Sequence, residues 1–99
     1  MFVIRDIMYC KPGQARPMVN KFLELGKLMK KENIGSMRVM TDLAAERYWT
    51  VVAELEVRSL EEYANMSREA MKDKKFQKVM KDYHDFIQSG RREIFVLEK

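Results

Sequence analysis

The chain contains one cysteine, one histidine, two prolines and four glycines among its 99 residues. A single cysteine excludes an internal disulfide, and a reducing cytoplasm is the compartment that we expect. No apolar run approaches the roughly 20 residues that a membrane-spanning helix needs, so we expect no membrane partner. Met1 leads directly into a strand-like pattern, from which we expect no cleavable targeting segment.

Motifs for common site chemistries are also scarce. The sequence shows no metal-ligand cluster, no glycine-rich phosphate loop and no catalytic triad. We therefore predict neither a metal site nor a cofactor. The net charge of +4 arises from helical segments in which lysines are interspersed with acidic residues. That pattern is typical of a solvated helix face, and we predict no nucleic-acid partner.

The hydrophobic residues recur in an order that predicts the fold. Period-2 runs occupy 2–10, 37–41, 47–57 and 93–97, and helical patterns occupy about 14–32 and 60–88. This βαββαβ order predicts an α+β domain in which two helices cover one face of a four-stranded antiparallel sheet. The length allows a single core, so we expect one domain over residues 1–99.

Local signals place the second helical region. Ser59 and Glu62 have the spacing of a capping box, which predicts that a helix begins at Leu60. No apolar residue occurs at 72–75, which predicts an interruption there. Ser89-Gly90 is interpreted as the end of the helix.

Two strands are apolar on both faces. The first strand carries Phe2, Ile4 and Met8 on one side and Val3, Ile7 and Tyr9 on the other, and the last strand reads Ile94-Phe95-Val96-Leu97. On the third strand, the helix-facing set is predicted to be Trp49, Val51, Ala53, Leu55 and Val57. A sheet with one solvated face should alternate apolar with polar residues. We therefore predict that a second copy of the chain covers the far face in a homodimer.

Several segments resemble the dimeric α/β-barrel superfamily of ferredoxin-like proteins, and within it the antibiotic-biosynthesis-monooxygenase-like and NIPSNAP-like proteins. The matching segments are Lys11-Pro12-Gly13, the helix with Val19, Phe22 and Leu23, the strand 49–55 followed by Ser59 to Tyr63, Phe76-Gln77 and the segment 89–94. The resemblance covers nearly the whole chain. It implies that two sheets from two subunits close into a barrel, and that each subunit keeps a pocket between its sheet and its helices.

The resemblance favours a small apolar ligand and leaves the reaction open. One hypothesis is a cofactor-independent, monooxygenase-like enzyme acting on an apolar aromatic molecule, with His84 or Asp6 handling protons. The predicted pocket residues are Trp49, Tyr63, Tyr83, Met80 and Phe22. The alternative is a non-catalytic dimer that serves as a structural or ligand-sensing module. His84 is then a boundary histidine, and the methionines are core packing.

Two other functions are disfavoured. Heme-degrading relatives are understood to use Asn, Trp and His, but the first strand offers Asp6 and no asparagine. RNA-binding domains of the same βαββαβ order carry a basic-Gly-aromatic-Gly-aromatic motif on the third strand, but the segment 47–52 of this chain has no glycine and lacks the second aromatic residue. The exposed side of the same strand carries Glu54 and Glu56, which would repel phosphates.

The two charged residues of the first strand, Arg5 and Asp6, are each expected to form an ion pair. Arg5 is expected to pair with Glu54 or Glu56, and Asp6 with Arg91 or Arg92, because adjacent strand residues point to opposite faces.

Overall fold

Four antiparallel strands and three α-helices follow one another in the predicted order. The structure is a computed structural model that describes residues 1–98. The elements are β1 (Phe2–Cys10), α1 (Ala15–Lys31), β2 (Met37–Thr41), β3 (Thr50–Val57), α2 (Leu60–Lys72), α3 (Lys74–Val79), a 3₁₀ turn (Tyr83–Asp85) and β4 (Ile87–Val96). No helix among these residues is long and apolar enough to cross a bilayer.

The sheet has the strand order β2-β3-β1-β4, which places β1 between two neighbours. Residues 2–9 of β1 pair with β3, and residues 2–10 of β1 pair with β4. A strand that is apolar on both faces therefore occupies the interior of the sheet. The two outer strands of the sheet are β2 and β4.

The helix α1 covers the sheet through its apolar stripe. Met18, Val19, Phe22 and Met29 are its buried residues, and their spacing places them on one face. Lys30 and Lys31 lie in the last turn, where positive charge is favourable to the helix dipole. Asn33 has a φ of 57° and stops the helix.

The helix α2 begins at Leu60, as the capping box predicts. The Glu62 backbone N–H donates to Ser59 Oγ at 3.0 Å. The return bond reaches one residue further back than in the standard box, because Arg58 N–H donates to Glu62 Oε2 at 3.3 Å. The predicted interruption is also confirmed: Asp73 separates α2 from α3 and accepts a hydrogen bond from the Lys75 N–H at 2.8 Å.

The prediction that the second helical region continues to Gln88 is wrong. The last α-helix ends at Val79, and Asp82 adopts a left-handed conformation with a φ of 65°. Ser89-Gly90 does not end a helix, because β4 begins at Ile87 and pairs with β1 over its length. The apolar spacing of 83–87 fits a helix in isolation, but pairing with the central strand decides the conformation.

The third strand begins three residues later than predicted. Residues 47–49 belong to the loop between β2 and β3, and Trp49 has a φ of 60°. Asp42 Oδ1 accepts from the Thr50 N–H at 2.9 Å, and the Thr50 hydroxyl donates to the Arg47 carbonyl at 2.8 Å. These side-chain bonds hold the loop in a bent conformation, so the period-2 pattern of residues 47–49 does not produce a strand.

The core lies between α1 and the helix-facing side of the sheet. Its buried cluster contains Cys10, Met18, Val19, Phe22, Val51 and Ala53. Val51, Ala53 and Val57 are buried, as predicted for the helix-facing residues of β3. Trp49 is 43% exposed and does not belong to that set.

Candidate functional site

A cavity of about 140 Å³ lies between the sheet and the helices. Six elements line it, and most of the lining side chains are apolar. The lining residues are Asp6, Phe22, Leu25, Met29, Ile34, Met37, Leu55, Tyr63, Met66, Ser67, Ala70 and Phe76. The helix α2 covers this space with half-buried side chains only, since none of its residues is fully buried.

The polar part of the cavity wall is an ion pair beside a phenol. Asp6 faces the helices from β1, and Arg92 lies opposite it on β4. The Arg92 Nε donates to Asp6 Oδ1 at 2.6 Å, which is one of the two expected pairings. The Arg92 guanidinium also lies 5.4 Å from the centre of the Tyr63 ring. The negative charge of Asp6 in the cavity wall is therefore already balanced by the positive charge of Arg92.

The environment keeps these groups in defined protonation states. Burial raises the pKa of the Tyr63 phenol, and the Asp6 carboxylate adds to that shift while Arg92 opposes it. The hydrogen bond to Asp6 raises the pKa of Arg92. At neutral pH, Tyr63 is thus an uncharged hydroxyl that can donate a hydrogen bond, and Arg92 remains a cation held by Asp6.

Methionines form much of the opposite wall. A β-carbon at Gly35 would lie 3.7 Å from the Met66 methyl and 3.8 Å from that of Met29, so these two side chains meet beside Gly35. Met37 packs against Gly26 on the α1 side. Unbranched thioether side chains adapt to differently shaped ligands, which suits this wall to small apolar molecules.

The predicted site residues do not all lie at this cavity. Asp6, Phe22 and Tyr63 line it together. Met80 lines an adjoining groove that shares Leu25 with the cavity. The remaining predicted residues are Trp49, Tyr83 and His84, and none of them is among the lining residues.

The positions of Trp49, Tyr83 and His84 follow from two differences between the predicted and the observed fold. The third strand begins later than predicted, and the second helical region ends earlier. Tyr83 packs against the buried cluster around Cys10. His84 is exposed, and its ring stacks against Tyr83 at 3.9 Å between centroids. Trp49 borders a surface pocket with Ala15 and Arg16 near the start of α1. The left-handed residue Asp82 interrupts the helical phase that would have turned His84 toward the sheet.

Sequence reasoning did not single out several lining residues. Ser67 and Ala70 belong to the same α2 stripe as Tyr63, so helical spacing alone could have indicated them. Ile34 and Met37 come from the connection after α1 and from an edge strand. No local pattern identifies these two residues, because their contact with α2 arises only on folding.

The sheet face that is turned away from the helices carries a second ion cluster. Arg5 Nη2 lies 2.7 Å from Glu54 Oε2, and Arg38 pairs with the other oxygen of the same carboxylate. Glu54 is only 4% exposed. Burial alone would raise the pKa of Glu54, but the hydrogen bonds and charges of Arg5 and Arg38 outweigh it and lower that pKa. This carboxylate is therefore held as an anion.

Apolar groups surround that ion cluster on the same face. Phe95 and Leu97 are each 44% exposed, and Met40 is 40% exposed. The Arg5 guanidinium lies 5.0 Å from the centre of the Phe95 ring. The loop between β2 and β3 approaches this face and presents a fully exposed Leu43. Helices α1 and α2 cover only the opposite side, so this face is the uncovered one.

Two further chemistries have little support in residues 1–98. No three His, Cys, Asp or Glu side chains converge there in a geometry that could hold a metal ion. Cys10 is buried, and burial raises the pKa of its thiol. A protonated, buried thiol behaves as a small apolar side chain.

Comparison with family profiles and with curated proteins finds no match. Solved structures do match. A NIPSNAP family protein from Agrobacterium tumefaciens is 15% identical, with 98% of this chain and 92% of that chain aligned and a TM-score of 0.83. An uncharacterised NIPSNAP-like domain protein from Burkholderia xenovorans is 16% identical over 98% of this chain and 84% of its own, with a TM-score of 0.82.

A more distant match is an antibiotic-biosynthesis-monooxygenase-like protein from Deinococcus radiodurans. It is 7% identical over 100% of this chain and 94% of its own, with a TM-score of 0.72. At these identities the likeness concerns the fold. The chain has the α+β, ferredoxin-like fold of the NIPSNAP family and of antibiotic-biosynthesis-monooxygenase-like proteins, as the sequence resemblance predicts.

Proposed function

We propose that this protein binds a small apolar molecule in the cavity between its sheet and α2, and that it does so as a homodimer. The observation that carries the proposal is the cavity itself, a mostly apolar space whose one charged lining side chain, Asp6, is paired with Arg92. Ligand sites in proteins commonly have this composition, a mostly apolar lining with few polar groups that orient the ligand.

Binding is better supported than acid–base catalysis. Asp6 lines the cavity, whereas His84 is exposed on the 3₁₀ turn and is not among the lining residues. The sequence assigns proton transfer to His84 or Asp6, and of these two only Asp6 lines the cavity, where Arg92 already binds its carboxylate. We therefore favour ligand binding or sensing over monooxygenase-like turnover.

The uncovered face of the sheet supports self-association. Val3 and Ile7 on this face are already buried within the subunit, but Phe95 and Met40 on the same face are 44% and 40% exposed. A second copy packed on this face would remove the Phe95 ring and the Met40 side chain from water, and burial of apolar surface is the main driving force of association. The Glu54 carboxylate on this face is already paired with Arg5 and Arg38, so a second copy would not cover an unpaired anion.

Toluene is a suitable probe of the cavity because it is small and cannot form a hydrogen bond. We expect it to raise the melting temperature and to shift NMR signals of methyl groups of Met29, Met37 and Met66, which line the cavity. Ala70→Leu should fill the space and weaken binding. The matched control is Arg68→Leu, an exposed position of the same helix, which should leave binding unchanged.

The folded state of each variant is checked by its melting curve before binding is measured. Failure of the unsubstituted protein to bind either toluene or the other single-ring and fused-ring probes described below at millimolar concentration would overturn the proposal. Loss of binding in Arg68→Leu to the same extent as in Ala70→Leu would show that the cavity is not the site. Oxygen uptake in the presence of toluene would favour the monooxygenase-like alternative over simple binding.

A further inference from the structure

We infer that the ligand of this cavity is an uncharged, single-ring phenol whose hydroxyl donates to the Asp6 carboxylate. The inference rests on the proposed function, since it specifies the class of ligand for the same cavity. Three features carry it: the volume of the cavity, the charge balance of its wall and the hydrogen-bonding capacity left at Asp6.

The volume selects the size of the ligand. The cavity holds about 140 Å³, and an apolar protein cavity of about 150 Å³ is known to accommodate one benzene molecule. The space is open to solvent on one side, so a fused-ring molecule would either displace the surrounding side chains or leave one ring outside the apolar lining. Phe22 and Phe76 are 3% and 5% exposed, and buried aromatic rings of this kind do not yield space without a large loss of packing. One aromatic ring with a small substituent fits the space.

The charge balance selects an uncharged ligand. Asp6 is the only charged residue among those that line the cavity. Its carboxylate is engaged by Arg92, and no lysine or arginine belongs to the lining within residues 1–98. A carboxylate ligand would bring a second negative charge next to Asp6, which is unfavourable. An ammonium ligand would compete with Arg92 for the same anion.

The remaining hydrogen-bonding capacity selects a hydroxyl donor. Arg92 donates to Oδ1 of Asp6, and an ionised carboxylate can accept further hydrogen bonds on either oxygen. Tyr63 keeps its proton because burial raises its pKa, so its hydroxyl can donate to the oxygen of the ligand. A phenol satisfies both groups at once: it donates to Asp6 and accepts from Tyr63. Toluene, which has the same ring, satisfies neither.

The test compares the dissociation constants of four probes by NMR titration: phenol, toluene, benzoate and 1-naphthol. We expect phenol to bind about tenfold more tightly than toluene, since hydrogen bonds to a charged group contribute more than neutral ones. Benzoate and 1-naphthol should bind more weakly than phenol. Asp6→Asn should reduce the advantage of phenol over toluene to about twofold and leave the toluene constant unchanged.

Matched variants keep the result interpretable. Tyr63→Phe removes only the hydroxyl, so it should lower phenol affinity and spare toluene affinity even if Asp6→Asn fails to fold. Asp85→Asn removes an exposed carboxylate on the 3₁₀ turn and should change neither constant.

The outcomes separate the two proposals. Equal affinity for phenol and toluene would overturn the phenol inference while leaving the proposed function in place. Tighter binding of benzoate or of 1-naphthol than of phenol would also overturn the inference. Failure of all four probes to bind would overturn the proposed function itself.

Discussion

Gly90 on β4 lies directly opposite Met8 on β1. The space between Gly90 and its neighbours on β1 is too small for a side chain unless those neighbours move. A β-carbon at position 90 would be 2.9 Å from the Met8 sulfur and 3.2 Å from the Ile7 carbonyl oxygen. The glycine that sequence patterns interpret as a helix stop is therefore a point of close approach between two strands.

Gly90→Ala is expected to destabilise the protein by about 1–3 kcal/mol, because the added methyl group would displace the Met8 sulfur and crowd the Ile7 carbonyl oxygen at 3.2 Å. The measurement is the free energy of unfolding from urea titration. Ser89→Ala, one residue earlier on the same strand, is the control and should change that free energy by less than about 0.5 kcal/mol. Equal effects of the two substitutions would contradict the close-packing explanation.

Asp6 and Arg92 are expected to stabilise the fold jointly by about 0.5–1 kcal/mol, a modest value because the Arg92 side chain is 52% exposed. A double-mutant cycle with Asp6→Asn and Arg92→Gln measures this coupling in urea titrations. A control cycle combines Asp6→Asn with Arg91→Gln, whose partner is Glu93, and should show coupling near zero. Additive effects of Asp6→Asn and Arg92→Gln would show that the pair contributes no stability.

Glu54 should make stability depend on pH in the acidic range. Burial by itself would raise the pKa of Glu54 in the folded protein, but Arg5 and Arg38 lower it by more, so the net shift is downward. The stabilisation is therefore fully present above the unfolded pKa of about 4.3 and is lost as the pH falls through the lower, folded value. The free energy difference between the unsubstituted protein and Glu54→Gln should shrink between about pH 5 and pH 3.

That measurement is made at one protein concentration, because self-association changes apparent stability. Glu61→Gln, an exposed carboxylate in the first turn of α2, is the control. A difference between the unsubstituted protein and Glu54→Gln that stays constant across the acidic range would contradict the assigned ion cluster.

Phe95→Glu should convert the proposed homodimer into a monomer. The substitution replaces an apolar ring on the uncovered face of the sheet with a carboxylate, which a second copy could cover only by removing it from water. Light scattering after size exclusion should give twice the 11.8 kDa chain mass for the unsubstituted protein and the chain mass for the variant. Leu23→Glu is the matched control, since Leu23 is 47% exposed on α1 and Phe95 is 44% exposed.

A stable monomer of the unsubstituted protein would disprove the homodimer. Dissociation by Leu23→Glu and not by Phe95→Glu would move the interface from the sheet to the helices.

The amino-acid sequence by itself determined the order of the elements and the faces of the strands. Hydrophobic periodicity is a local property, so β1, α1, β2 and the start of α2 could be read within a few residues of their observed bounds. Strict alternation along β1 also placed Arg5 and Asp6 on opposite faces. Their observed partners, Glu54 and Arg92, are among those expected for each.

Only the tertiary structure decided the composition of the cavity. Trp49 and His84 lie away from it because a positive φ at Trp49 and another at Asp82 break the local periods that would have aimed both side chains inward. Asp6, Met29 and Tyr63 come together there although they are distant in the chain. A periodic pattern reports which face of its own element a residue occupies, whereas a cavity depends on how separate elements pack, and that packing follows from contacts that no single segment contains.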